Sequence, residues 1–149
     1  MADLPAGSYT AIVRGVCNTT GVALAEVYDL NPQPSSTLRN ISTRSFVQTG
    51  DNVMIGGFIV ERTESRGQRV IIRALGPELT QYGVPNALAD PALELYDANG
   101  DLIASNDNWQ HTVIGGIITS SQVQDIRNSG HVERIFHRSR ERVMGTSPA

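Results

Sequence analysis

Apolar and polar positions alternate in short runs along most of this chain, and clusters of Gly, Asn, Asp and Pro separate the runs. Such period-two alternation predicts strands, because successive side chains of an extended backbone point to opposite faces. Leu4-Pro5-Ala6-Gly7 is a turn signal, and Ser8 to Val16 follows as a strand with β-branched and aromatic enrichment. Gly21 to Leu30 carries helix-favouring alanines, but Val22, Leu24, Glu26 and Tyr28 alternate with Ala23, Ala25 and Val27, which predicts a strand buried on both faces. The Pro-Ser stretch 32–37, with Pro32 and Pro34, reads as a linker, since neither proline can donate to a ladder. Leu38 to Phe46, Asn52 to Val60 and Arg69 to Leu75 predict three more strands. Gly56-Gly57 inside the second of these predicts a bulge or a close backbone approach. The charged run 61–67 predicts an exposed hairpin tip, and Glu78 to Leu88 a loop with one helical turn, punctuated by Gly83 and Pro85. Thr112 to Ile118 is ambiguous, and Ser120 to Asn128 is compatible with a short helix.

The clearest local signal is Leu93 to Trp109, in which two apolar-rich arms flank Asn99-Gly100. Asn-Gly predicts a type I′ hairpin turn, which needs φ > 0 at both central residues. A two-residue loop pairs Asp97 with Leu102, Tyr96 with Ile103 and Leu95 with Ala104, and puts Leu93, Leu95, Leu102 and Ala104 on one buried face. Short strands separated by Gly, Asn and Pro turns, with little helix, predict an all-β sandwich or barrel.

Composition agrees with a folded domain. The chain has 149 residues, 40% hydrophobic and 18% charged, long enough for one domain with a proper core. Its net charge of −3 makes nucleic acid an unsuitable partner for the body of the protein. No apolar run is long enough to span a bilayer, so no membrane insertion is expected. Met1-Ala2-Asp3-Leu4-Pro5 lacks both a basic n-region and an apolar h-region, so no signal peptide is read, which taken alone argues for a cytoplasmic product or a fragment of something larger. The single cysteine, Cys17, lies in a loop and cannot close an internal disulfide. Charge changes sign near the end: through Gly130 there are eight arginines and thirteen acids, a net of −5, and from His131 four arginines and two acids, a net of +2. Residues 1–130 are therefore expected to form a single domain and 131–149 a basic tail outside the fold.

Two stretches resemble the bacterial pre-peptidase C-terminal domain, a small secreted β-sandwich with jelly-roll-like strands. Leu93-Glu94-Leu95-Tyr96-Asp97-Ala98-Asn99-Gly100-Asp101-Leu102-Ile103-Ala104-Ser105-Asn106-Asp107 is similar to its central hairpin. Leu4-Pro5-Ala6-Gly7-Ser8-Tyr9-Thr10-Ala11-Ile12-Val13 resembles its closing strand, and Thr20 to Tyr28 its last strand. The order is reversed, since here the closing strands precede the hairpin. The body also resembles a tandem repeat of large bacterial surface proteins, in which the Leu-Pro-x-Gly-x-Tyr strand ends one unit and the next begins near Asn40-Ile41-Ser42-Thr43-Arg44. This resemblance covers about residues 4–130 and implies a cut across a repeat boundary, with 1–31 closing one repeat and 38–130 opening the next. It implies an antiparallel, jelly-roll-like sandwich, circularly permuted through the linker or completed by a neighbouring molecule, and an extracellular or cell-surface location.

Candidate chemistry gathers at the hairpin. Asp97, Asn99 and Asp101 have the alternate-oxygen spacing that opens a calcium loop, but Leu102 stands where an EF-hand needs glycine and Asn108 where it needs glutamate. Two readings stand: a β-sandwich calcium site built from Asp97, Asn99, Asp101 and Asp107, as the pre-peptidase resemblance allows, or a polar hairpin end. Trp109, between Asn108 and Gln110, is the candidate for stacking on a surface polysaccharide. Catalysis finds little support, because His111, His131 and His137 are the only histidines and neither a zinc spacing nor a nucleophile elbow is present. The expectation is a non-enzymatic structural or adhesive module. Alternatives are a calcium- or carbohydrate-binding accessory module, or a subunit that assembles with its own copies by β-strand complementation.

Overall fold

The Leu-Pro-Ala-Gly-Ser-Tyr string is where the chain passes from one sheet to the other. In a computed structural model, which describes residues 2–30, 40–61, 68–108, 111–114, 117–118 and 128, β1 (Ala2–Leu4) ends just before Pro5 and β2 (Gly7–Gly15) starts just after Ala6. Pro5 cannot donate to a ladder, so the pairing of β1 stops there and β2 starts in the other sheet two residues later. The other strands are β3 (Gly21–Asp29), β4 (Asn40–Val47), β5 (Met54–Val60), β6 (Gln68–Leu75), β7 (Pro91–Tyr96), β8 (Leu102–Asn108), β9 (His111–Ile114) and β10 (Ile117–Ile118).

These strands form two antiparallel sheets, ordered β1-β6-β3-β4 and β10-β9-β8-β7-β2-β5. The second and third strands of the chain are thus internal, one to each sheet, while β1 is at an edge: β2 lies between β7 and β5, and β3 between β6 and β4. The core fills the space between the sheets in two adjoining clusters. Leu4, Tyr9, Val27, Phe58, Val60, Val70 and Leu95 form one, where Tyr9 stacks on Phe58 at 5.6 Å between ring centroids. Val13, Ala23, Ala25, Val47, Met54 and Leu88 form the other.

Most expected strands are present, with several corrections. Strand β5 begins at Met54 rather than Asn52. Gly56 and Gly57 pair with Ala11 and Thr10 in unbroken register, so they form no bulge; among the described residues their strand has one neighbour, β2. On β3 the face carrying Ala23, Ala25 and Val27 is buried, whereas Val22, Leu24 and Tyr28 on the other are half-buried. Cys17 sits, exposed, in a 3-10 turn, Val16–Asn18. The helical turn after Gly76 spans Pro77–Tyr82, and the segment behind it is bound rather than loose: Leu88 accepts full burial, donates its N–H to Val22 O at 2.8 Å, and Val22 N–H donates to Asn86 O at 2.7 Å. The linker 32–37, the charged run 62–67, the helix expected before Asn128 and the tail 131–149 lie outside the described residues.

Candidate functional site

The hairpin of β7 and β8 closes differently from the expectation. Gly100 has φ 85, but Asn99 is not among the described non-glycine residues with positive φ, so a type I′ turn is ruled out. Gly100 N–H donates to Asp97 O at 3.1 Å and Asp97 N–H to Asp101 O at 3.0 Å, which makes Ala98-Asn99-Gly100 a three-residue loop, a type I turn followed by a left-handed glycine. That loop shifts the register by one, giving Tyr96 opposite Leu102; a bulge at Ile103 then restores Leu95 opposite Ala104, as expected. The consequence is an exchange of roles. Ile103 packs against the core with Ala104, and Leu102, expected inside, is 50% exposed.

Asp97 is the residue that holds this turn. Its Oδ1 accepts the backbone N–H groups of Asn99 at 2.8 Å and Asp101 at 3.0 Å, and its Oδ2 accepts from Asn99 Nδ2 at 3.4 Å. The turn brings Asp97, Asn99 and Asp101 together. Asp107 is six residues further along β8, at the opposite end of the hairpin and roughly 20 Å from Asp101 at a strand rise of about 3.3 Å per residue. One ion cannot be shared by all four. Among the described residues no group of three or more His, Cys, Asp or Glu is placed to hold a metal ion. Trp109 lies outside the described residues.

Sequence reasoning missed two polar clusters, one on the outer face of each sheet. On the six-stranded sheet, Arg14 Nε donates to Glu94 Oε2 at 3.0 Å, Tyr96 Oη donates to the same oxygen at 2.9 Å, and an Arg14 terminal nitrogen donates to Gly50 O at 3.3 Å. On the four-stranded sheet, Arg73 Nε donates to Glu26 Oε2 at 2.5 Å, Tyr28 Oη donates to Glu26 Oε1 at 3.0 Å, and the Arg73 guanidinium lies 5.0 Å from the Tyr28 ring centroid. Each cluster is a Glu-x-Tyr pair on one face of a strand, bridged by an arginine from the neighbouring strand. Glu26 is buried and the Arg73 side chain is 10% exposed, against 41% for Arg14, so the Glu26 cluster is the tighter of the two. The phenols respond accordingly: the Glu94 hydrogen bond and then burial raise the Tyr96 pKa, and burial followed by the Glu26 hydrogen bond raises that of Tyr28 against the opposing Arg73 charge. One signal was available. Glu26-Val27-Tyr28-Asp29-Leu30-Asn31 and Glu94-Leu95-Tyr96-Asp97-Ala98-Asn99 are near copies, and a carboxylate repeated inside two apolar strands marks a position that needs a cation across the sheet.

No described helix is long and apolar enough to cross a membrane. Comparisons with family models, curated proteins and solved structures found no match.

Proposed function

We propose that this chain is a non-enzymatic structural or adhesive β-sandwich module of an extracellular bacterial surface protein. The observation that carries the reading is the engagement of its charged side chains: Glu26, Glu94 and Asp97 each bind partners within the sheets or the turn. These are cross-strand stitches and a turn clamp, the groups that stiffen a module built to bear or present something else. The internal position of β2 and β3 supports the further reading that the chain is a permuted unit, in which the end of one surface repeat supplies the inner strands of the next.

Thermal melting tests the proposal against a calcium-dependent accessory module. The midpoint is expected to be the same in millimolar calcium and in chelator. A midpoint that climbs with calcium would overturn the structural reading, because an ion bound only by the folded state must raise it.

A further inference from the structure

Strands β1 to β8 repeat one plan twice, with the two sheets exchanged between the repeats. In chain order β1 to β4 lie in the four-, six-, four- and four-stranded sheets, and β5 to β8 in the six-, four-, six- and six-stranded sheets. Swapping the sheets turns the first series into the second. The ladders obey the same rule: β1-β6, β6-β3 and β3-β4 become β5-β2, β2-β7 and β7-β8 when every strand is replaced by its counterpart. Each half also carries a 3-10 turn at the same place, Val16–Asn18 between β2 and β3 and Pro77–Tyr82 between β6 and β7.

Residues match as well as elements. Strand β2 starts at Gly7, opposite Val60, and β6 starts at Gln68, opposite Leu4, and Val60 and Leu4 are buried in the same core cluster. The offset of 61 residues that relates Gly7 to Gln68 also relates Gly15 to Gly76, which precede the two turns, and at both an added Cβ would collide with backbone. Within the near copies that begin at Glu26 and Glu94, the two carboxylates stand opposite Ser42 and Ser105. The bridging arginines differ by two residues on one face: Arg73 is opposite Glu26, whereas Ile12 is opposite Glu94 and Arg14 reaches it from the next position along.

Neither half makes a sheet by itself. Among the described residues β1 and β2 pair only with strands of the second half, and β5 and β6 only with strands of the first. What each half pairs internally is one hairpin, β3-β4 or β7-β8, and an isolated hairpin is marginal in water. Because the halves follow one plan, their contact has the character of a two-fold interface whose two sides happen to share a chain. The link between them is the segment 48–53, which has no buried residue. It turns on Gln48 N–H to Asn52 O at 2.8 Å and Asn52 N–H to Thr49 O at 3.3 Å, with Gly50 at φ 64.

We propose that residues 2–108 are an internal duplication of a half-sandwich unit, and that a second copy of this chain is its binding partner by exchange of halves. With the link at 48–53 straightened, β1 to β4 of each copy close on β5 to β8 of the other. Every ladder of the closed monomer is kept in the exchanged dimer, so the two forms differ at the link and protein concentration selects between them. The inference uses topology and register alone and does not depend on the functional reading above.

The test uses the full chain carrying Cys17→Ser, Ser8→Cys and Ile59→Cys. Ser8 and Ile59 are exposed and directly opposite each other on β2 and β5, one in each half, within reach of a disulfide. Oxidation therefore joins one chain to itself in the closed monomer and two chains in the exchanged dimer. After unfolding in urea and refolding at millimolar protein, light scattering is expected to show a species of two copies that runs as a covalent dimer on a non-reducing gel. Refolding at micromolar protein is expected to give a monomer with the bond inside the chain. Adding Gly50→Pro, whose ring cannot take the φ of 64, is expected to shift the refolded product toward two copies at every concentration. A parent chain that refolds only to monomer at millimolar protein, a two-copy species whose disulfide closes within one chain, or a folded Gly50→Pro variant no more dimeric than its parent would each overturn the proposal. Should Gly50→Pro fail to fold, the concentration series of the parent decides. Loss of the exchange leaves the structural module standing, whereas a calcium-raised melting midpoint removes that reading and leaves the exchange untouched.

Discussion

Tyr9 donates its hydroxyl to the carbonyl oxygen of Pro5, four residues upstream, at 2.8 Å. The bond spans the point at which the chain changes sheets, while the Tyr9 ring is buried against Phe58. The Leu-Pro-x-Gly-x-Tyr string therefore works as a corner: the proline interrupts the pairing, and the tyrosine ties the bend from within the core. Tyr9→Phe keeps the ring and deletes the tie. It is expected to lower stability by about 1 kcal/mol in urea titration, near the low end for a lost hydrogen bond because Pro5 is exposed and water can reach its carbonyl.

The Glu26–Arg73 pair predicts a strongly coupled double-mutant cycle. Arg73→Met leaves a buried carboxylate without its cation and is expected to cost about 3 kcal/mol, in the range seen when one partner of a buried pair is removed. Adding Glu26→Gln removes the orphaned charge, so the double variant is expected to be more stable than the sum of the two single losses. Additive losses in chemical denaturation would show that the pair does not act as a unit.

At the hairpin turn, Asp97→Ala frees two backbone N–H groups and is expected to cost roughly 1 kcal/mol. Gly100→Ala places a Cβ at φ 85 and is expected to cost about the same, through strain at a left-handed position. Both losses should be identical with calcium and with chelator, read as shifts in melting midpoint.

Leu88 predicts a core defect from a segment that looks like loop. It is 0% exposed and packed among Val13, Ala23 and Met54, so Leu88→Ala is expected to cost about 3 kcal/mol. Gly76 supports the same segment from behind: a Cβ there would stand 2.2 Å from Leu88 O, against backbone that cannot swing away. Gly76→Ala is therefore expected to disturb both β6 and the Leu88 plug, visible as lost hydrogen-exchange protection at Val22 and Leu88.

The phenols predict a loss of stability in alkali. Burial, and then the nearby Asp97 charge, raise the Tyr9 pKa above its ordinary value of 10.0, and Tyr28 and Tyr96 are raised as well. A raised value means that the folded chain holds the proton more tightly than the unfolded one. The associated stability is then complete below about pH 10 and falls as pH rises through the folded values. Absorbance titration at the tyrosinate band should show delayed ionisation that collapses to the ordinary range on unfolding. Tyr28→Phe should remove part of the delayed component.

Much of the architecture was legible in local pattern. Alternation from Ser8 to Val16 and from Arg69 to Leu75, and the turn residues between such runs, located the strands and the all-β class, because a period of two and the chemistry of Gly, Asn and Pro act within a few residues. Leu95 opposite Ala104 was legible for the same reason, across a loop of a few residues. The loop type was not. Asn-Gly suits two turns, and whether Asn99 or only Gly100 goes left-handed depends on the Asp97 carboxylate and on which of Leu102 and Ile103 the core accepts.

What the sequence by itself determined is thus strands β2 to β8, the turn positions between them and the polar character of the hairpin end, whereas β1, read as part of a turn, and β9 and β10, in a stretch left ambiguous, were not legible. Tertiary structure alone decided that Ile103 rather than Leu102 turns inward, that Leu88 plugs the core, that Arg14 meets Glu94 and Arg73 meets Glu26, and that β5 is left at an edge. The physical reason is distance along the chain. Arg14 and Glu94 are 80 residues apart, and Arg73 and Glu26 are 47 apart. Propensity and periodicity are sums over neighbours, whereas a cross-strand pair or an open edge exists only once the register of every intervening strand has been set.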